Sequence, residues 1–364
     1  MNTPYWLAGL PFDCVSLEVA RTRIFDAIEC RKQLVFATPN VSFLAQAASD
    51  DRFREDVLRA GLTLPDGMPV VWMGKLMEIP FTARVAGSDL LESLIIEPGP
   101  RTVRVFFFGG NPGAADAAME AVNRRAGGLK AVGALDPGFA SVADMSDQAM
   151  IDAINRSDAD FLVVALGASK GHRWIEANRH RLQVTVISHL GAAINFVSGR
   201  LQRAPAIMQR AGLEWLWRIK EEPALFRRYA RDAWFLARIF AAFMVPEFLG
   251  RLRREGSAPP ALMAQLDGDV LVVQVHGRLC TRETQLLQGS EWRTRLGSAP
   301  AVRLELVGVT RLDSLGTGWL YAACYRLAAG VPVTVHCDRV SRMALKHWRA
   351  EILAEPGSHE TRHL

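Results

Sequence analysis

The sequence predicts an α/β protein: a mostly parallel sheet with helices on both faces, then a helical basic appendage, then a second, small α/β domain. Three observations carry this. Through the first two hundred positions, apolar runs of about five to eight residues alternate with helical patterns of about ten to fifteen, the rhythm of parallel strands joined by crossover helices. From about Arg200 the strands stop, and consecutive helical patterns follow, broken at Pro205, Pro223 and Pro246. After the stretch EGSAPPA at 255–261, strand and helix patterns alternate again to the end.

In chain order, residues 5–10 are a short apolar run, and Ser16 is placed to cap a helix reaching about Cys30, with Val19, Ile24 and Ile28 among its apolar positions. The strand LVFAT follows and ends in Thr38, Pro39 and Asn40. A helical pattern through Val41, Phe43 and Leu44 leads to the acidic turn Ser49-Asp50-Asp51 and a second helix to Ala60. The next strand ends in Pro65 and presents Asp66 just ahead of Gly67, and 67–76 reads as helix. RVAGSDL (84–90) is a loop with a Ser/Asp helix start, leading to a helix through Ile96.

VRVFFFGGNPGAADAAMEAVNRR combines a strand apolar on both faces, a glycine turn and an Ala-rich helix. Such a unit can cradle a phosphate, because glycines let backbone N–H groups approach an anion at the helix N-terminus. Its spacing is not GxGxxG, and a tight connection is the blander account. A helix over 144–156, a strand over 160–167, a helix to Leu182, a strand over 184–191 and the segment GAAINFVSGR complete the pattern.

Thr38, Asn40 and Asp66 stand at strand ends, where an open α/β sheet places its chemistry. Each alone also reads as a helix N-cap, since Asp and Asn side chains accept free backbone N–H groups. Of the 364 residues, 49% are hydrophobic and 22% charged, which is a globular composition. The net charge of +5 has one source: within 200–255 twelve Arg and Lys stand against six Asp and Glu. The run 233–249 is aromatic and aliphatic but interrupted by Arg238, Pro246 and Glu247. That falls short of the ~20 apolar residues needed to span a bilayer and fits an amphipathic helix lying on an anionic membrane surface. Nothing in this pattern calls for nucleic acid.

Cys14, Cys30, Cys280, Cys324 and Cys337 are scattered and read as reduced thiols, neither a disulfide framework nor a zinc site. The N-terminus lacks the pattern of a cleaved signal peptide. No metal or other cofactor is expected: Asp158-Ala159-Asp160 precedes its strand and belongs at the opposite sheet edge, and His172 and His180 read as solvated or capping histidines.

The motifs GLPFD (9–13), TPN (38–40), LPDGMPVVW (64–72), RVAGSDL (84–90), FFFGGNPG (106–113), LGASKGHRWI (166–175), GAAINFVSGRLQRAP (191–205) and GLEWLWRIKEEP (212–223), in this order, resemble the WecG/TagA/CpsF family of bacterial glycosyltransferases. The resemblance implies a Rossmann-like domain over 1–199 and a basic helical appendage over 200–255. It implies inverting, metal-independent transfer from a UDP-sugar donor to a polyprenyl-diphosphate-linked acceptor in exopolysaccharide or surface-glycan synthesis. The chain would work in the cytoplasm, peripheral on the inner face of the cytoplasmic membrane and bound through 200–255.

Asp66 matches the family's candidate base, and Thr38 and Asn40 match its other polar strand-end positions. For the departing diphosphate the candidates are Arg84, the turn Gly109-Gly110-Asn111 and Lys170, with Arg218 and Arg228 from the appendage, and Gly167, Gly191 and Asn195 are further substrate-binding candidates. The chain departs from the family where Ser169, Lys170, Gly171 and His172 replace a common Pro-Lys-Gln-Glu, where Asn195 replaces an Asp, and where Leu225 replaces a basic position. The altered turn motivates a rival reading, a catalytically weak UDP-sugar-binding or scaffold protein. A nicotinamide-dependent oxidoreductase is disfavoured by the missing GxGxxG and ribose acid.

Beyond a linker at 256–261, residues 262–354 resemble a STAS domain in strand and helix order and in the turn Asp313-Ser314-Leu315-Gly316, with a flexible tail over 355–364. Leu315 stands where such domains carry the phosphorylated hydroxyl and cannot accept phosphate, leaving Ser314 as a poorer candidate. The domain is expected to dock a protein partner or another copy of the chain as a homo-oligomer.

Overall fold

The computed structural model describes residues 3–125, 127–199, 201–205, 207–208, 212–245, 261–280, 284, 299–327 and 331–354. The chain forms two compact units, one of Val15–Trp72 and Phe81–Phe235, the other of Met1–Cys14, Met73–Pro80 and Leu236–Leu364. Expectations for 246–255, for most of the linker, for the helix over 281–296 apart from Thr284, and for the tail fall outside the described residues.

The first unit is built on a six-stranded parallel sheet. Its strands are β3 (Leu34–Ala37), β4 (Leu62–Thr63), β5 (Val103–Gly109), β6 (Leu129–Leu135), β7 (Phe161–Ala165) and β8 (Val186–His189). They stand in the order β4-β3-β8-β7-β5-β6, every neighbour parallel. Side chains alternate between two cores, as the two-residue strand period requires. Val103, Val105 and Phe107 enter one core while Phe106 and Phe108 enter the other, and Phe161 and Val163 oppose Leu162 and Val164 in the same way. Burial on both faces is why these strands read as continuous apolar runs.

The helices between them start as their sequences suggest. Ser16 caps α1 (Leu17–Glu29) by accepting from Val19 N–H, and Asp50 caps α3 (Asp51–Leu58) by accepting from Phe53 N–H. β6 was not anticipated. It is an edge strand in which only Leu129 and Ala131 are buried, and Lys130 and Gly133 break the apolar run that would mark it.

The second unit contains β9 (Ala261–Asp267), β10 (Val270–Leu279), β11 (Ala301–Leu312) and β12 (Val333–Cys337) in the order β12-β11-β10-β9. The last three in sequence pair in parallel, and β9 joins the edge antiparallel. β9 begins inside the stretch expected to be linker. Its Met263 and Leu266 are exposed, so no buried alternation announces it. Among the described residues no helix is long and apolar enough to cross a membrane.

The expected boundary at 199, with the N-terminus in the sheet domain, is corrected. Residues 5–12 form a hairpin of β1 (Tyr5–Leu7) and β2 (Leu10–Phe12) that packs within the second unit. The Trp6 indole, fully buried, donates to the Trp348 carbonyl at 2.8 Å, and the Ser314 hydroxyl donates to the Trp6 carbonyl at 2.7 Å. Ser314 is thereby buried, which removes it as an accessible phosphate acceptor. Asp13 and Arg326, 2% and 3% exposed, form an ion pair at 2.8 Å.

Removing one member of a buried pair leaves the other charge uncompensated. Asp13→Ala is therefore expected to lower the stability of this unit by about 3–5 kcal/mol in urea unfolding of the full chain. A loss below about 1 kcal/mol would mark the pair as solvent-screened and contradict this account.

Candidate functional site

The sheet order changes direction at β3 and β8: the chain runs outward from β3 to β4, and returns to place β8 on the other side of β3. The carboxyl ends of these two strands flank the crevice that such a switch point opens. From β3 come Thr38, Pro39 and Asn40, with Asn40 capping α2 (Val41–Ala47) by accepting from Phe43 N–H at 3.2 Å. The cap reading of Asn40 is thus realised. Thr38 is buried, and it sits against Gly87 at the start of α5 (Gly87–Ile96). A Cβ at Gly87 would displace the end of the Leu190 side chain and press on Thr38, so the start of α5 lies close against the β3 and β8 ends.

Backbone hydrogen bonds stitch Asp66 into this edge. Leu64 N–H donates to Ala37 O at 2.9 Å, Asp66 N–H to Pro39 O at 3.1 Å, and Val85 N–H to Pro65 O at 2.8 Å. Asp66 as a whole residue is half-buried. Burial pushes its carboxyl up to about 7. The Arg84 guanidinium pulls against that shift, Glu214 and Asp89 push with it, and the Gly67 N–H pulls back. A carboxyl poised near neutrality can accept a proton from a substrate group and release it afterwards.

Arg84, expected on a diphosphate, is already engaged. One Nη pairs with Glu214, and the other with Asp89 at 2.6 Å. Arg203 takes the second oxygen of Asp89 and donates to Ser88 Oγ at 2.9 Å. Glu214 opens the helix Glu214–Glu221, whose Arg218 pairs with Glu222 at 2.7 Å. Arg218 and Arg203 both lie over the Phe196 ring, 5.2 and 5.7 Å from its centroid. Phe196 and Asn195 belong to α9 (Gly191–Val197), and the Asn195 Oδ1 is buried without a partner.

In the glycine turn after β5, Gly109, Gly110 and Gly113 take φ of 90°, 102° and 71°, a conformation that favours glycine. Asn111 is exposed there, and Gly110 N–H donates to Ala165 O at 2.8 Å. Gly167, with φ 81°, precedes α8 (Ala168–Asn178), but the Lys170 amino group is bound to Ala140 O at 2.9 Å. Arg228 is exposed over Tyr229 at 5.1 Å, and no contact among the described residues joins it to the strand ends. The structure therefore brings Asp66, Thr38, Asn40, the glycine turn, Gly191 and Asn195 to one side of the sheet, leaves Arg228 outward, and ties down Arg84, Lys170 and Arg218. Asp158 and Asp160 lie at the opposite edge, as expected, paired with Arg104 and Arg101.

One histidine expectation is corrected, and another histidine was missed. His172, taken for a solvated or capping side chain, is 1% exposed, edge-on to Phe43 and Phe53. His189, at the end of β8, is buried with its ring 5.6 Å from that of His172, and the Nε2 of each lacks a partner among the described residues. The spacing of His172 and His180 drew attention to the wrong pair, because strand end and helix meet only in the fold. Glu214, Asp89 and Arg203 were also given no role. Each is the single charge in its stretch, GSDL, QRAP or GLEW, so no local pattern pointed to their pairing. Among the described residues, no group of three or more His, Cys, Asp or Glu could hold a metal ion.

Burial pushes the His172 imidazole down to about 3, helped by His189, and His189 down to about 4. Both stay neutral in the fold, whereas an unfolded chain protonates them below about 6.5. Their contribution is therefore complete above that value and lost as pH falls toward 4. The Tm of His172→Phe should fall less than the wild-type Tm between about pH 7 and about pH 4.5; parallel curves would contradict this.

A family model described as "Glycosyl transferase WecG/TagA/CpsF family" matches residues 5–247. The N-acetylglucosaminyldiphosphoundecaprenol N-acetyl-beta-D-mannosaminyltransferase of Bacillus spizizenii (strain ATCC 23059 / NRRL B-14472 / W23) is 34% identical over 195 residues, 54% of this chain and 73% of that protein. The protein of the same name from Bacillus subtilis (strain 168) is 29% identical over 192 residues, covering 52% and 72%. That of Staphylococcus aureus (strain NCTC 8325 / PS 47) is 23% identical over 214 residues, covering 58% and 82%.

Proposed function

The chain belongs to the WecG/TagA/CpsF family of glycosyltransferases, and from that premise we propose that it moves a sugar from a UDP-sugar to a polyprenyl-diphosphate-linked acceptor in exopolysaccharide or surface-glycan synthesis. The observation that carries the chemistry is Asp66, a carboxyl raised to about 7 at the switch point of the sheet. Asp66 takes the proton of the acceptor hydroxyl as its oxygen bonds to the anomeric carbon. The bond to the donor diphosphate breaks on the opposite face, and UDP leaves with the electron pair, inverting the centre. Thr38 and Asn40 orient the acceptor or the sugar.

Charge growing on the diphosphate needs donors already in place. The turn Gly109-Gly110-Asn111, apart from the Gly110 N–H that Ala165 O already takes, and the Gly167 and Gly191 turns are the backbone groups at hand, while the buried Asn195 Oδ1 is an acceptor for a sugar hydroxyl. Arg84, Lys170, Arg218 and Arg228 join only if their present partners or positions are exchanged. That the named relatives act on an undecaprenyl-diphosphate-linked acceptor supports the lipid-linked substrate.

Reaching such a substrate calls for a membrane contact, which the proposal places at the inner face of the cytoplasmic membrane and in the 200–255 appendage. Leu213, Trp215, Leu216, Phe226 and Trp234 are exposed there, interleaved with the exposed Arg227, Arg228 and Arg231. Exposed aromatics with arginines suit the headgroup region, each Arg contributing about 1 kcal/mol against anionic lipid. The second unit, STAS-like in this reading, serves as a docking module for a partner or another copy of the chain.

Two outcomes are expected. Asp66→Asn keeps UDP binding and loses transfer by at least about 100-fold, read as UDP release from a panel of UDP-sugars with detergent-solubilised polyprenyl-diphosphate-sugar acceptors; unchanged transfer removes Asp66 as the base. Phe226→Ala with Trp234→Ala weakens co-sedimentation with vesicles containing phosphatidylglycerol at least about tenfold; unaltered binding moves the membrane contact elsewhere.

A further inference from the structure

We propose that Glu214 is a positioning residue for Asp66: by engaging Arg84 it keeps that guanidinium from closing an ion pair on the carboxylate that takes the acceptor's proton. This rests on the reading of Asp66 as the base.

The geometry is specific. Arg84 spends one Nη on Glu214 and the other on Asp89, and it forms no ion pair with Asp66. Asp89 is held from its other side by Arg203, which also holds Ser88. The charged groups acting on Asp66 are Arg84, Glu214 and Asp89, with Arg203 acting through Asp89; the β3 end packed against it offers only the Pro39 carbonyl to its backbone. Three carboxyls thus share two guanidiniums. The cluster is neutral when one carboxyl holds a proton, and among the described residues Asp66 is the member without an ion pair.

Glu214 raises the proton affinity of Asp66 in two ways, by its own negative charge and by occupying the cation that would otherwise quench the carboxylate. Without Glu214, an Arg84 Nη is free to turn to Asp66. The paired carboxylate is then a weaker base, lower in pKa and bound to a cation it must leave to take a proton. Because Glu214 lies in the first turn of Glu214–Glu221, docking of this helix and the strength of the base become one event.

The test is the pH dependence of kcat/KM for the full chain with donor and lipid-linked acceptor, from about pH 5 to about pH 9, for wild type, Glu214→Gln, Glu214→Asp and Asp66→Asn. Glu214→Gln is expected to move the rising limb down by about one pH unit and to lower the plateau several-fold. Glu214→Asp, which keeps the charge, is expected to hold the limb near its wild-type position. A Glu214→Gln chain that loses activity with its limb unmoved shows a helix-docking role alone and overturns the proposal, as does a chain unchanged in both respects. If Glu214→Gln does not fold, Asp89→Asn frees the other Nη of Arg84 and carries the same expectation and the same refutation. Residual activity in Asp66→Asn with the wild-type limb would instead overturn Asp66 as the base. The loss of that limb in Asp66→Asn, with no shift in Glu214→Gln, overturns only the role of Glu214.

Discussion

Two guanidiniums and three carboxyls meet at the carboxyl edge of the parallel sheet. Arg84 bridges Glu214 and Asp89, Arg203 braces Asp89, and Asp66 stands within their field without an ion pair among the described residues. In water such an arrangement would be screened to insignificance. At the end of the parallel sheet, burial raises the Asp66 carboxyl toward neutrality, Arg84 opposes that shift, and Glu214 and Asp89 add to it. The cluster also fastens three separate stretches of chain, 84–89, Arg203 and Glu214, to one another, so the helical segment after the sheet is part of the site rather than an addition to it.

The sheet explains why these stretches meet. Apolar strands buried on both faces fix the order β4-β3-β8-β7-β5-β6, and that order brings the ends of β3, β4 and β8 together with the start of α5. Thr38, Asn40 and Asp66 were legible as strand-end polar residues because their strands are short, apolar and ended by proline. The glycine turn after β5 was legible because positive φ demands glycine. Which cations stand free was not legible. Arg84 and Lys170 look available in one dimension and are occupied in three, because Glu214 lies 130 positions from Arg84 and Ala140 lies 30 from Lys170. His189 escaped notice for the same reason: a histidine closing an apolar strand acquires meaning only beside His172.

The second unit shows the same limit at a larger scale. The strand and helix alternation after 262 was plain, but its edge strand β9 and its closure by the N-terminal hairpin were not. Trp6 meets Trp348 across 342 positions, and Asp13 meets Arg326 across 313. No periodicity announces such partners. A buried Asp in GLPFDC reads as a surface charge until its arginine is found. The consequence for the turn Asp313-Ser314-Leu315-Gly316 is direct, since the hydroxyl that a kinase would need is donated to the chain's own hairpin.

The central claim is that Asp66 changes protonation near neutral pH. The direct measurement is a carboxyl-band infrared titration of the full chain, wild type minus Asp66→Asn. The account predicts a difference signal from a protonated carboxyl that disappears with a midpoint near 7. A difference spectrum showing Asp66 already ionised by about pH 5, close to an ordinary aspartate, would contradict it.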